Sequence, residues 1–198
     1  LSRLMIGAEP PALTHRAQTP GAVVLQVSSL SLAREDQFGV DLDGIDLQVC
    51  AGEVVGIAGV SGNGQRELLY ALSGEDCRTG PGRIRMGSTD IAAMHPGARR
   101  KLGLHFVPEE RLGRGAVPTL DLAHNLLLTR NESLSGPIRW IGVNQLRAQA
   151  ADIIGRFNVK AGGPDSAARS LSGGNLQKFI VGREIDASPT LLIVSQPT

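Results

Sequence analysis

Leu171 to Gln177 reads LSGGNLQ, and from Asn175 the run NLQKFIVGREI repeats apolar residues at helical spacing. A hydroxyl residue followed by two glycines at a helix start leaves bare backbone N–H groups, because the first turn has no intrahelical partner for them. The helix dipole adds positive character at that end, so Ser172, Gly173 and Gly174 present a ready site for a phosphate group. An N-cap serine ahead of an ordinary helix accounts for Ser172 but not for the paired glycines. Upstream, GGPDSAARS is a polar turn; downstream, TLLIV reads as a buried strand that runs into SQPT.

A second glycine-rich start lies nearer the N-terminus. EVVGIAG, Glu53 to Gly59, is continuously apolar after its first residue, as in a strand covered on both faces. It runs into GVSGNGQRE and then the helical QRELLYALSG, a strand, loop and helix in the order of a phosphate-binding P-loop. Gly59, Gly62 and Gly64, with Ser61 and Asn63 between them, let successive N–H groups curl around a phosphate at a helix N-terminus. Gln65 stands where that loop normally carries the lysine for the outer phosphates, and Arg66 where it carries the magnesium-binding Ser or Thr. Taken alone, the loop is equally a tight packing turn. A dinucleotide-binding turn is a third reading, although it wants a small residue where Glu67 stands.

Around these two loops the chain reads as an α/β protein. VVLQVSSLSL and IDLQV alternate like half-buried strands on either side of the charged turn Ala33 to Asp36, which predicts an antiparallel opening. GRIRMGSTDI as a strand, HPGARRKLG as a short helix and LHFVP as a buried strand make a further unit. Leu120 to Ala168 holds only helical periodicity and predicts a helical insertion. Residues 1–20, with Pro10, Pro11 and Pro20, read as a linker. Arg99, Arg100 and Lys101 read as a solvated helix face, and His95, His105 and His124 as surface or helix-start residues.

Composition narrows the function. Twenty Lys and Arg against nineteen Asp and Glu give no global field toward nucleic acid or an anionic membrane. Six aromatic residues are too few for a base-stacking platform. Cys50 and Cys77 lack metal-ligand spacing and fit a reducing compartment, so no metal site is expected in this chain.

With both loops in place, the chain resembles the ABC-type ATPases, whose diagnostic signature is LSGGxQ. The resemblance implies a P-loop NTPase cassette with an antiparallel β subdomain, a parallel-sheet core and a helical subdomain over about 120–170. It implies that residues 21–198 form one nucleotide-binding domain, cut off after the Walker B strand with a strand edge left free at Leu191 to Val194. It also implies that Leu171, Ser172, Gly173, Gly174, Asn175 and Gln177 face the phosphate loop of an opposite cassette, completing a site that is mostly the partner's. LHFVPEER, Leu104 to Arg111, resembles the segment ending in the Q-loop, with Glu109 at the glutamine position. TLLIVSQPT resembles the Walker B strand, with Ser195 where an aspartate coordinates magnesium and Gln196 where a carboxylate polarises the attacking water. Phe38 stands roughly where the family stacks an aromatic on adenine, or simply packs in its turn.

Without the phosphate lysine, both magnesium contacts and the carboxylate, phosphoryl transfer loses its positioning and electrostatic groups, and no residue here is expected to be catalytic. ATP is expected to bind weakly or without magnesium, with Mg2+ only at the partner cassette's site. GxxGNGQ and the PEER segment resemble the second cassette of tandem ATP-binding subunits of simple-sugar and nucleoside importers, and LSRLMIGAE resembles the segment leaving the first cassette. SQPT and LSGGNLQK resemble the branch that works with basic-membrane-lipoprotein-type binding proteins, which handle nucleosides. The implied partners are the first cassette, transmembrane permease subunits and, indirectly, an extracytoplasmic substrate-binding protein, at the cytoplasmic face of the membrane. A self-sufficient ATPase and a structural half that binds no nucleotide remain as alternatives.

Overall fold

A computed structural model describes residues 19–35, 37–129 and 142–197. The linker reading and the LSRLMIGAE segment lie almost wholly outside these residues, as do 130–141 of the helical insertion. The chain opens with β1 (Val23–Leu32) and β2 (Leu42–Cys50), paired antiparallel as their alternation predicts. Alternation in β1 is not uniform. Leu25 and Val27 point into the core, then Leu30 and Leu32 do, one residue out of step. The register between β1 and β2 shifts between Val27 and Leu30, and Ser29 has φ 44. A bulge of this kind absorbs one residue and returns the following side chains to the apolar face.

After the glycine loop comes α1 (Gln65–Ser73), followed by β3 (Ile84–Met86) and β4 (Thr89–Asp90). The segment expected as one strand, GRIRMGSTDI, is therefore a hairpin, turned at Gly87 with φ 55, and it joins the antiparallel sheet in the order β2-β1-β3-β4. Next are α2 (Pro96–Lys101) and β5 (Leu104–Val107), which pairs in parallel with the last strand, β6 (Leu191–Val194). Leu104 and Leu191 join Leu68, Ala71 and Leu72 of α1 and the inner face of the antiparallel sheet in one buried cluster.

Two expectations are corrected here. Glu53 to Gly59 is not a strand in the structure: residues 53–60 join no strand among the described residues and are exposed, Val54 by 96% and Ile57 by 54%. An apolar run becomes a buried strand only where neighbours supply hydrogen bonds on its edges, and among the described residues none flanks this one. Among the described residues β6 has one neighbour, β5. The run Arg99 to Lys101 is a solvated face only in part: Lys101 is exposed, Arg100 is half-buried and Arg99 turns inward. Arg99 is wholly buried and donates to the carbonyls of Ala71, Leu72, Ala92 and Met94, pinning α2 onto the end of α1. Four carbonyl acceptors, of which Ala92 is shared with Thr79 Oγ1 and Met94 with Cys77 Sγ, explain why a guanidinium is tolerated there.

The helical lobe comprises α3 (Leu122–Asn125), α4 (Val143–Arg156) and α5 (Gly173–Asp186), with a short 3-10 turn at Ala168–Ser170. Leu122, Leu126, Leu146, Ile153, Leu176, Phe179 and Ile180 close its own apolar core. Asp121 caps α3 by accepting from the His124 N–H at 2.7 Å, so His124 is the helix-start residue expected. Among the described residues no helix is long and apolar enough to cross a membrane.

Candidate functional site

The glycine loop ends at Gly64, which has φ 93 and forms the N-cap of α1. A Cβ there would also press on Leu42 Cδ2 at 3.2 Å, so conformation and space both ask for glycine. Gln65 does not reach outward. Its side-chain amide turns back into the loop, donating to the Val60 carbonyl at 3.1 Å and accepting from the Asn63 N–H at 3.1 Å. A Cβ at Gly59 would collide with this same amide. The residue at the lysine position therefore straps the loop from inside, using one of the N–H groups a phosphate would claim. Arg66 leans toward Glu67 at 3.4 Å and stays largely exposed, so the contact is weak.

Loop and strand end meet across a cleft of about 830 Å³. Gly59, Ser61, Gly62, Gln65 and Arg66 line one side, and Glu109, Ser195 and Gln196 the other. Ser195 is buried and its N–H donates to the Val107 carbonyl at 2.9 Å, continuing the β5–β6 ladder past the strand. The cleft thus gathers the predicted phosphate-loop, Q-loop and Walker B positions, which stand far apart in sequence. Phe38 is not on its wall. It lies 84% exposed in the turn between β1 and β2, a turn whose Val40 is 3.6 Å from where a Gly64 Cβ would be.

Leu171 to Gln177 is not on that wall either. Ser172 caps α5 with extended backbone and, with Gly173 and Gly174, is exposed. Asn175 fixes the turn from behind: its amide donates to Ser172 Oγ at 2.9 Å and accepts from the Lys160 N–H at 2.9 Å. Gln177 departs from the others. It is buried, facing Arg111 and the Gln196 carbonyl rather than the open end of the helix.

Sequence reading missed the groups that tie this region together. Arg114 hydrogen-bonds Tyr70 Oη at 3.0 Å, lies 5.0 Å above that ring and pairs with Glu75, linking the 108–116 loop to α1. His105, expected at the surface, is buried and hydrogen-bonded to Glu184 on α5. No spacing in the sequence marks these pairs, whose members are 39 to 79 residues apart.

An antiparallel sheet, a glycine loop opening a helix, a short parallel pair and a separate helical lobe bearing LSGGN at a helix start define an ATP-binding cassette. The chain belongs to the ABC transporter family, whose model matches residues 42–198. It is 36% identical over 200 residues to the nucleoside import ATP-binding protein NupA of Lactococcus lactis and 37% identical over 203 to the guanosine import ATP-binding protein NupO of Bacillus subtilis. It is 34% identical over 199 residues to the ribose import ATP-binding protein RbsA 1 of Rubrobacter xylanophilus. These alignments cover the whole chain but only 39%, 39% and 38% of those proteins. A bacterial ABC transporter cassette solved as a dimer matches the fold with a TM-score of 0.71 at 18% identity, over 88% of this chain and 74% of that one. A nucleotide-free cassette matches at 0.70 and 21%, over 89% and 70%.

Proposed function

We propose that this chain is the second cassette of a tandem ATP-binding subunit that energises import of a simple sugar or nucleoside. Its own phosphate loop does not hydrolyse ATP, and its LSGGN turn completes the site of the first cassette. One contrast supports the reading: the Ser172–Gly174 turn is open at a helix start, whereas the chain's own loop is strapped by Gln65. The loop glycines and the start of α1 suit a phosphate. The remaining groups do not suit magnesium, because Arg66 brings a cation to the metal's side and Ser195 and Gln196 bring no carboxylate to the end of β6. No hydrolytic step is therefore assigned to this cleft.

Residues 1–20 are the link from the first cassette, and 21–198 the nucleotide-binding domain, with 120–170 as its helical part. The import relatives, for nucleosides, guanosine and ribose, support permease subunits and an extracytoplasmic binding protein as partners and a post at the cytoplasmic membrane face. Glu109 occupies the Q-loop position, and Phe38, in the turn between β1 and β2, offers its exposed ring to adenine.

The direct test is Ser172→Arg in the intact subunit: turnover at the first cassette's phosphate loop should fall, and unchanged turnover in the assembled transporter rejects the trans role. The Gln65 strap favours one second reading, a half that binds no nucleotide at all. Calorimetry with ATP separates the two. Weak, magnesium-indifferent binding without phosphate release supports a degenerate site, and no heat of binding supports the purely structural half.

A further inference from the structure

We propose that Arg111 is a positioning residue that holds the signature turn in place from behind, and that the 108–116 loop carrying it yokes α1 to α5. This rests on the proposed role of Ser172–Gly174 for its turnover readout, but not for its structural one.

Arg111 Nη2 donates to Gln177 Oε1 at 3.2 Å, and Gln177 Nε2 donates to the Gln196 carbonyl at 3.1 Å. One guanidinium thus reaches, through a single buried amide, from the loop after β5 to the end of β6. The same group bears on Gly173: a Cβ there would stand 2.9 Å from Arg111 Nη1. A side chain at this position would therefore have to displace the Arg111 guanidinium. The helix dipole does not draw a cation to this end, since a positive charge beside a helix start is disfavoured. Its tethers hold it there.

The far end of the relay is strained. Gln196 has φ 45 and directly precedes Pro197, a position where a following proline disfavours compact backbone. A hydrogen bond to its carbonyl from a buried side chain restrains that conformation. The near end is stiff: the Gly115 N–H donates to the Glu110 carbonyl at 3.0 Å and the Gly113 N–H to the Ala116 carbonyl at 2.9 Å. With Arg114 fastened to Tyr70 and Glu75, the loop grips the helix behind the phosphate loop with one arginine and the signature helix with the other. A shift of the loop carrying Glu109 moves the signature turn with it.

The test uses the intact subunit, with hydrogen exchange at 176–179, where the bonded amides of α5 begin, and ATP turnover measured together. Arg111→Ala and Gly173→Ala should each raise exchange at the start of α5 by about tenfold, as expected for losing a charged hydrogen bond. The double variant should be no worse than either single, because both remove one contact. Turnover of the first cassette should fall in kcat with KM nearly unchanged, since that cassette's own nucleotide contacts stay intact. Gln177→Glu keeps an acceptor for Arg111 but cannot donate to Gln196, so it should leave 176–179 protected and raise exchange at Ser195, whose N–H is bonded to the Val107 carbonyl. This second variant keeps the test open should Arg111→Ala fold poorly. Unchanged exchange in Arg111→Ala, or additive effects in the double variant, overturns the clamp. Ser172→Arg serves as control: if it leaves turnover unchanged the trans reading fails, whereas the exchange results still decide the clamp.

Discussion

His105 Nδ1 lies 3.0 Å from Glu184 Oε2, so β5 and α5 are joined by a hydrogen bond buried on both sides. Arg100 donates to the same oxygen at 2.6 Å, and Arg183 Nε to the other at 2.8 Å. Arg183 in turn donates to the Asn125 carbonyl of α3 at 3.1 Å, so one carboxylate links the sheet, α2 and the helical lobe. Burial by itself would raise the Glu184 carboxyl. The hydrogen bond from His105 and the charges of Arg183 and Arg100 outweigh it and hold the group at about 2, below its ordinary 4.5.

A carboxyl depressed by folding stabilises above its unfolded value and ceases to as pH falls through its folded one. Stability should therefore drop by about 3 kcal/mol between pH 4.5 and about 2 through this residue. Glu184→Gln should remove that part of the acid dependence. It should also cost about 3 kcal/mol at neutral pH, because Arg183 is left buried without its carboxylate. Urea unfolding from pH 7 to 2 checks both, and an unaltered acid limb in Glu184→Gln contradicts the assignment.

Arg99→Leu should destabilise by about 3 kcal/mol, since four hydrogen bonds are lost together and the Ala71 and Leu72 carbonyls lose the donor that Thr79 and Cys77 still give to Ala92 and Met94. Arg99→Lys, which cannot serve four acceptors at once, should fall between the two. Chemical denaturation measures this, and a neutral Arg99→Leu would mean that the solvated-face reading was right after all.

Gly64→Ala and Gly62→Ala form a matched pair. Both glycines have φ near 90, but a Cβ meets Leu42 only at Gly64 and nothing within 4 Å at Gly62. Gly62→Ala should cost about 1–2 kcal/mol from backbone strain, and Gly64→Ala more. Melting temperatures rank them, and the reverse order refutes the contact.

Gln65→Lys should release the strap between Val60 and Asn63 and supply the missing charge. ATP affinity is expected to rise by about tenfold, as for one added charged hydrogen bond. Hydrolysis should not appear until Arg66→Ser, Ser195→Asp and Gln196→Glu are added, because positioning groups in phosphoryl transfer act as a set. Turnover in Gln65→Lys alone would show that the cleft already holds what it needs.

Much of the fold was legible because local pattern and local structure agree where periodicity is long. The strand at 23–32, the IDLQV strand, which the structure extends to 42–50, the helices at 65–73 and 143–156, and the start of α5 at the signature agree with the spacing. Glu53 to Gly59 was misread for a reason of principle: an apolar run states what it would bury, not whether neighbours flank it. The hairpin at 84–90 was missed because Gly87-Ser88 was read as part of a strand rather than as its turn.

What LSGGNLQ and GVSGNGQ determined by themselves is the family and the phosphate chemistry on offer, because glycines at a helix start act through their own backbone. Which side chains of those motifs face outward was decided only by tertiary structure. Ser172 is open while Gln177, five residues on, is buried against Arg111 and Gln196; Gln65 fills its own loop; Arg99, Glu184 and His105 are internal. Each of these outcomes depends on a partner distant along the chain or on the fold of a loop, and a charge or an amide is stable in an interior only where such a partner arrives to satisfy it.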